Sequence, residues 1–267
     1  MAGNILSKIV KHKKQEVAAA KNKVPLSALL AEIMKLPANR NFRDVFENND
    51  FTIVGEIKKK SPSKGTIKNA INIKNIVQIY EKAGIKAVSV VTDKKFFDGN
   101  IEYIKEAKKH CSMPILRKDF VIDEYQIYET RAARADAILL IAAILEKREL
   151  ASFIRKARFL NVTPVVECIS REEIKKACAA GAEIIGINAR DLKTFKINLA
   201  KVKTLVKYVP KDKFVLCESG INEPEDVDEI MVDPKIKAVL IGTMFMKAKG
   251  EKQIKDLAGR ILNKHGR

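Results

Sequence analysis

Glu56 and Lys58 stand two residues apart, directly after the apolar run Phe51-Thr52-Ile53-Val54-Gly55. On an extended strand, residues two apart share a face, so a carboxylate and an ammonium would point the same way. One such pair is commonly a strand-end ion pair without chemical consequence, but here the pattern recurs. Thr92-Asp93, Arg117-Lys118-Asp119, Glu167, Asn188, Glu218-Ser219-Gly220 and Gly242-Thr243 each follow a short apolar run. Gathered on one rim, these groups supply lysines and glutamates for proton transfer. Gly220 and Gly242-Thr243 suit a phosphate held by backbone N–H groups, with Met244 to Ala248 as a short helix behind it. Glycines in turns also serve backbone freedom alone. The loop Ser61-Pro62-Ser63-Lys64-Gly65 has the composition of an anion-contacting lid, a weak signal because such loops are common.

The elements that must position these residues follow from hydrophobic periodicity. Strands are predicted at Phe51 to Gly55, Ala87 to Val91, Pro114 to Leu116, Ala137 to Ile141, Thr163 to Val166, Ile184 to Ile187, Phe214 to Leu216 and Ala238 to Ile241. Most are rich in Val, Ile and Leu, as strands buried on both faces require. Amphipathic helices are predicted at Ile73 to Ala83, Ile101 to Lys109, Glu124 to Arg134, Lys147 to Leu160, Arg171 to Ala179, Leu199 to Tyr208, Pro224 to Met231 and Glu251 to Lys264. Strict alternation without hairpin signals implies parallel strands joined by helical crossovers. Eight such units fit a (β/α)8 TIM barrel better than a doubly wound open sheet. Residues 1–45 form an N-terminal helical extension, and the whole chain, 1–267, is read as one barrel domain. The basic start of the chain carries Ile5, Leu6, Ile9, Val10 and Val17 at helical spacing, with Glu16 interrupting the charge. It reads as a helix packed on the domain rather than a targeting peptide.

Composition narrows the classes of function. Of 267 residues, 46% are hydrophobic, enough for a sizeable core, and 12 Gly with 8 Pro exclude collagen-like or mostly disordered chains. The longest apolar run, Ala137 to Leu145, falls far short of the roughly 20 residues of a spanning helix. Four cysteines without paired spacing and three scattered histidines lead us to expect reduced thiols, a cytoplasmic location and no metal or cofactor. With 51 Lys+Arg against 33 Asp+Glu the net charge is +18, which suits either nucleic acid or anionic substrates. Because the lysines are spread along the chain with few aromatics among them, no specific nucleic-acid partner is expected.

In order and spacing, the motifs resemble the indole-3-glycerol phosphate synthase family over nearly the whole chain. The matching stretches are EIKKKSPSKG (56–65), VVTDKKFFDG (90–99), PILRKDFVI (114–122), YQIYETR (125–131), Val165 to Glu167, GINARDL (186–192), ESGI (218–221) and Ile241-Gly242. The resemblance implies a (β/α)8 barrel that converts 1-(2-carboxyphenylamino)-1-deoxyribulose 5-phosphate to indole-3-glycerol phosphate with loss of carbon dioxide and water. Ring closure needs an acid at the ketone, and dehydration needs an acid for the departing hydroxyl and a base. Matched motif to motif, Lys118 is the acid for closure. Lys58 is the acid for dehydration and a phosphate contact, and Glu167 is the base. Glu56 and Asn188 orient the lysines and the substrate. Ser61, Phe120, Arg190, Glu218 and Ser219 match substrate contacts, with Arg190 suited to a planar carboxylate. Gly220, Gly242 and Thr243 match the phosphate end.

The implied partner is a small, anionic, phosphorylated substrate, with no membrane partner and a monomer as the expected state. Two departures from the pattern stand out: Thr243-Met244 after Gly242, and Arg134 where a helix-ending glycine is common. Competing readings are another phosphate-binding barrel such as phosphoribosylanthranilate isomerase, for which Cys217 lies in the wrong motif, and a basic binding protein without catalysis on the same fold.

Overall fold

Aliphatic and β-branched residues build the inner wall of the computed structural model, which describes residues 5–62, 65–191 and 196–266. In chain order the elements are α1 (Ile5–Lys23), α2 (Leu26–Ile33), α3 (Asp44–Glu47), β1 (Thr52–Ile57), α4 (Ile73–Lys82), β2 (Ala87–Val91), α5 (Lys94–Phe97), α6 (Glu102–His110), β3 (Ile115–Lys118), α7 (Tyr125–Ala132), β4 (Ala137–Ile141), α8 (Lys147–Phe159) and β5 (Thr163–Cys168). They continue with α9 (Arg171–Ala179), β6 (Ile184–Asn188), α10 (Ala200–Leu205), β7 (Phe214–Glu218), α11 (Asp226–Ile230), β8 (Ile236–Ile241), α12 (Thr243–Lys247) and α13 (Glu251–His265). All eight strands pair in parallel, and β1 meets both β2 and β8, so the barrel closes. A two-residue hairpin, Lys60–Ser61 with Gly65–Thr66, rises from the loop after β1.

Alternation along each strand divides two cores. Val54, Leu116, Leu139, Val165, Ile184, Leu216 and Leu240 fill the barrel interior, while Ile53, Val88, Ile115, Ile138, Val166, Ile185 and Val239 face outward under the helices. Both faces are covered, which is why the strand sequences read as unbroken apolar runs.

The N-terminal extension reaches both ends of the barrel. Leu6 and Ile9 of α1 join the interior cluster beside Phe120 and Ile141, near the strand C-termini. The same cluster takes in Phe42, Val45 and Phe46 at the opposite end. There the Phe46 ring stacks 5.8 Å from Phe214, the first residue of β7. Between the two ends α2 packs on α7, and Tyr125 Oη donates to the carbonyls of Val24 (2.8 Å) and Ala20 (3.2 Å). Helical periodicity is visible in the sequence of this segment, whereas its plugging of the barrel floor is not. Arg134, at the departure noted above, has φ 67° and so takes the left-handed conformation usually left to glycine.

Candidate active site

Five strands run past the apolar stretches that announce them. β1 extends through Glu56, and β3, β5, β6 and β7 reach Lys118, Cys168, Asn188 and Glu218. The polar residues therefore sit on the strands, and their backbones continue the parallel register: Glu56 opposite Ser89, Lys118 opposite Val91, Glu167 opposite Gly186 and Asn188 opposite Glu218. Each lies two residues beyond an inward-facing one (Val54, Leu116, Val165, Gly186, Leu216), so all point into the barrel mouth. Rigid strands, not loops, fix their geometry.

At the centre, Lys118 Nζ bonds Glu218 Oε2 and lies 3.5 Å from Glu56 Oε2, while Lys58 Nζ bonds Glu56 Oε1. Glu56 thus bridges the two lysines. Burial alone would raise its pKa, but Lys58 and Lys118 outweigh burial and hold it below the ordinary value. Burial likewise works against the charge on Lys118, and the three carboxylates Glu218, Glu56 and Glu167 overcome it, raising the ammonium above an ordinary lysine. Glu167 goes the other way. Burial and the neighbouring Glu218 charge push it up to about 8, against the opposing pull of Lys118 and Asn188. Among the described residues its Oε1 has no hydrogen-bond partner. The cluster therefore holds a fixed cation beside a carboxyl group that titrates near neutrality, an arrangement suited to proton transfer.

Around this centre opens a cleft of about 1010 Å³, open solvent at its mouth included. Every predicted site residue except Glu218 lines it: Glu56, Lys58, Lys118, Glu167 and Asn188 at the floor, Ser61, Phe120, Arg190 and Ser219 on the walls, and Gly220, Gly242 and Thr243 at one end. Glu218 is fully buried beneath Lys118. Asn188 Oδ1 accepts from the backbone N–H of Arg190 at 2.9 Å and so fixes the turn that carries the guanidinium. Burial lowers the pKa of Arg190 and Glu56 opposes the shift. Of the lid loop, Ser63 and Lys64 lie outside the described residues, as does Leu192 of GINARDL. The end of β4, which offers nothing polar, contributes Leu139 and Ile141. With Val91, Phe97 and Phe120 they make an apolar wall suited to an aromatic ring.

The glycines have separate causes. Gly220 has φ 94° and follows Ser219 at φ 65°, so this turn needs the left-handed region twice in succession. Gly242 has φ −115°, which any residue adopts, but a Cβ there would strike the carboxylate of Glu56. At Gly186 a Cβ would strike Glu218. These two glycines make room for buried carboxylates, a role that spacing along the chain does not reveal. Sequence reasoning also left Asp93 and Asp119 without a role, although both line the cleft. Their signal was visible, since each follows a strand, but their counter-ion, Lys13 of α1, is distant in sequence and is 1% exposed.

Comparison with known proteins narrows the chemistry. A solved tryptophan synthase subunit alpha from Legionella pneumophila has a similar fold, with a TM-score of 0.60 at 13% identity, covering 84% of this chain and 98% of that one. Sequence relatives are far nearer. An indole-3-glycerol phosphate synthase of Caldanaerobacter subterraneus is 45% identical over 257 residues, covering 96% of this chain and 98% of the relative. That of Thermoanaerobacter pseudethanolicus is 44% identical over 243 residues, 91% and 92% of the two chains. The family model described as indole-3-glycerol phosphate synthase matches residues 6–257, a span that takes in every strand of the barrel and each Lys, Glu and Asn converging at its mouth. The chain belongs to the indole-3-glycerol phosphate synthase family.

Proposed function

We propose that the chain closes the indole ring of 1-(2-carboxyphenylamino)-1-deoxyribulose 5-phosphate with loss of carbon dioxide and water, and that Lys118, Lys58 and Glu167 carry the proton transfers. The observation that carries this reading is the buried Lys58–Glu56–Lys118–Glu218 chain with Glu167 beside it. Lys118, kept charged by its carboxylates, faces the ketone oxygen as the aromatic carbon attacks. Its ammonium stabilises the developing oxyanion and supplies the proton. The ring closure leaves a carbon bearing both the new bond and a carboxylate. Carbon dioxide departs with its electron pair returned to the ring.

In the dehydration, Lys58 protonates the departing hydroxyl and Glu167 removes the proton that restores the indole. A base with a pKa of about 8 holds a proton more firmly than an ordinary glutamate, which suits it to this step near neutral pH. Glu56 and Asn188 orient the lysines and the substrate. Arg190 meets the anthranilate carboxylate as a planar fork, with Ser61, Phe120, Glu218 and Ser219 in contact with substrate or its lysines. Gly220, Gly242, Thr243 and Lys58 hold the phosphate, with the start of α12 behind them. The partner is a small phosphorylated anion, and the protein acts in the cytoplasm as a monomer.

Incubation with the carboxyphenylamino substrate, followed by indole fluorescence, tests the reading. Turnover by the wild type, and a loss of ~10²–10⁴ in kcat with little change in substrate binding for Lys118→Ala, are expected. A wild type that binds phosphate but never yields the indole product would return the chain to the class of non-catalytic barrels.

A further inference from the structure

Lys13 lies on α1, far in sequence from the lysines of the cleft, yet it is 1% exposed. Its ammonium stands 2.8 Å from Asp119 Oδ1, 3.1 Å from Asp93 Oδ2 and 3.1 Å from Glu16. Asp93 follows β2 and Asp119 follows β3, and both carboxylates line the substrate cleft. Each also holds the backbone of an aromatic residue. Asp93 Oδ1 accepts from Phe96 N at 2.8 Å and so caps α5, which carries Phe97. Asp119 Oδ1 accepts from Phe120 N at 2.8 Å. The rings of Phe97 and Phe120 then meet with centroids 6.0 Å apart on the apolar wall.

We propose that Lys13 is a positioning residue for substrate binding: it ties the Asp93 and Asp119 loops together and offsets one unit of the negative charge with which their carboxylates would otherwise oppose an anion in the cleft. The inference rests on the anionic substrate assigned above.

The other charged neighbours do not replace it. Arg117 reaches Asp119 Oδ2 at 3.1 Å, but it is shared with Glu129 of α7 at 2.7 Å. Thr92 Oγ1 donates to the same Asp119 oxygen at 2.6 Å. His12 lies beside Glu16, and Lys95 reaches the His12 ring. Lys118 is turned toward Glu218 and Glu56. Only Lys13 faces Asp93 among the ion pairs of the described residues. Burial by itself would discharge Lys13, and Asp119, Asp93 and Glu16 more than reverse that, so the site carries its positive charge throughout the working pH range. Asp119, conversely, is held far below the ordinary carboxylate range, against its burial, by Lys13 and Arg117.

A double-mutant cycle of Lys13→Met and Asp93→Asn, with kcat and KM measured from acid to alkaline pH, tests the proposal. Asn is as good a helix cap as Asp, so α5 keeps its start. In Lys13→Met, KM is expected to rise on the order of tenfold, the effect of one unit charge about 10 Å away at an effective dielectric of about 20, while kcat stays within about twofold. The KM ratio to wild type shrinks as the pH falls and Asp119, no longer held ionised by Lys13, takes up a proton. Lys13→Arg and the Lys13→Met/Asp93→Asn pair each recover most of the loss. Lys13→Gln, which keeps donors to the carboxylates without the charge, carries the same comparison if Lys13→Met fails to fold. An unchanged KM in either folded neutral variant overturns the proposal. So does an equal fall in kcat that is independent of pH and is not recovered in the pair, since that is what merely loosened packing would give. Absence of turnover by the wild type would instead count against the proposed function. In that case the anthranilate affinities of the wild type, Lys13→Met, Lys13→Arg and the Lys13→Met/Asp93→Asn pair, read from the probe's own fluorescence, should follow the same order, and equal affinities overturn the role of Lys13.

Discussion

At the scale of single residues, the base role proposed for Glu167 comes with a stability cost. Its folded pKa of about 8 lies above the ordinary glutamate value of 4.5, so the folded state retains a proton that the unfolded chain releases between those values. Stability contributed by the neutral carboxyl is fully present below about pH 4.5 and is lost as the pH rises through about 8. Glu167→Gln keeps the shape and never ionises. The substitution should therefore lower kcat by ~10²–10⁴ and raise the melting temperature relative to wild type, by an increment that grows from pH 5 to pH 8. Thermal melts across that range, read beside the indole assay, check both halves. A melting difference that is flat with pH would mean Glu167 is ionised in the fold, and unchanged turnover would move the base to Glu56. The same environment explains the neighbouring lysine. Burial in the barrel mouth penalises every charge, and only groups with opposed partners, such as Lys118 between Glu218 and Glu56, keep theirs.

At the scale of elements, the strands do most of the positioning, and the turns between them absorb the strain. Arg134 ends the helix α7 with φ 67°, and a side chain in the left-handed region costs roughly 1–2 kcal/mol. Replacing it by glycine removes that strain but loosens the unfolded chain, so Arg134→Gly should stabilise the fold by about 0.5–1 kcal/mol. The midpoint of urea unfolding measures it, and a lower midpoint would mean that Arg134 makes contacts worth more than the strain. Turn chemistry does not explain Gly242, whose φ is ordinary. The strand β8 ends there without a side chain because Glu56 of the adjacent β1 occupies the space. A substitution such as Gly242→Asp would thus disturb the Glu56 carboxylate as well as any phosphate, so phosphate binding is better tested from outside the protein.

That test belongs to the whole molecule. A net charge of +18 attracts anions from every side, and the attraction is screened within about 10 Å at 0.1 M salt. Chloride should raise KM gradually as ionic strength grows. Inorganic phosphate at matched ionic strength should inhibit further and competitively if the phosphate site proposed at Gly220, Gly242, Thr243 and Lys58 takes it up. Steady-state kinetics in the two salts separates the effects. Superimposable curves would reduce the phosphate site to general screening. The same scale accounts for the extension, which touches the rim through Leu6, Ile9 and Lys13 and the floor through Phe42 and Phe46.

The barrel and most of its mouth were legible in the chain alone, because hydrophobic periodicity is a local property. Strands buried on both faces, such as Ala137 to Ile141, must be apolar throughout, and a polar residue at the end of such a run, such as Glu167, marks the point where the strand meets solvent or substrate. The family motifs added the roles expected of Lys58, Lys118 and Arg190. Properties that depend on residues far apart in sequence were decided only by the tertiary structure. Glu167 is pushed up to about 8 because the closed barrel buries it and sets Glu218 of another strand beside it, and Lys13 is a buried counter-ion because a helix of the extension crosses the ends of β2 and β3. Gly186 and Gly242 are small because carboxylates from neighbouring strands fill the space above them. Charge coupling and steric exclusion act through space over a few ångströms. Sequence fixes which groups are present, and only the closed barrel sets which of them lie within that distance.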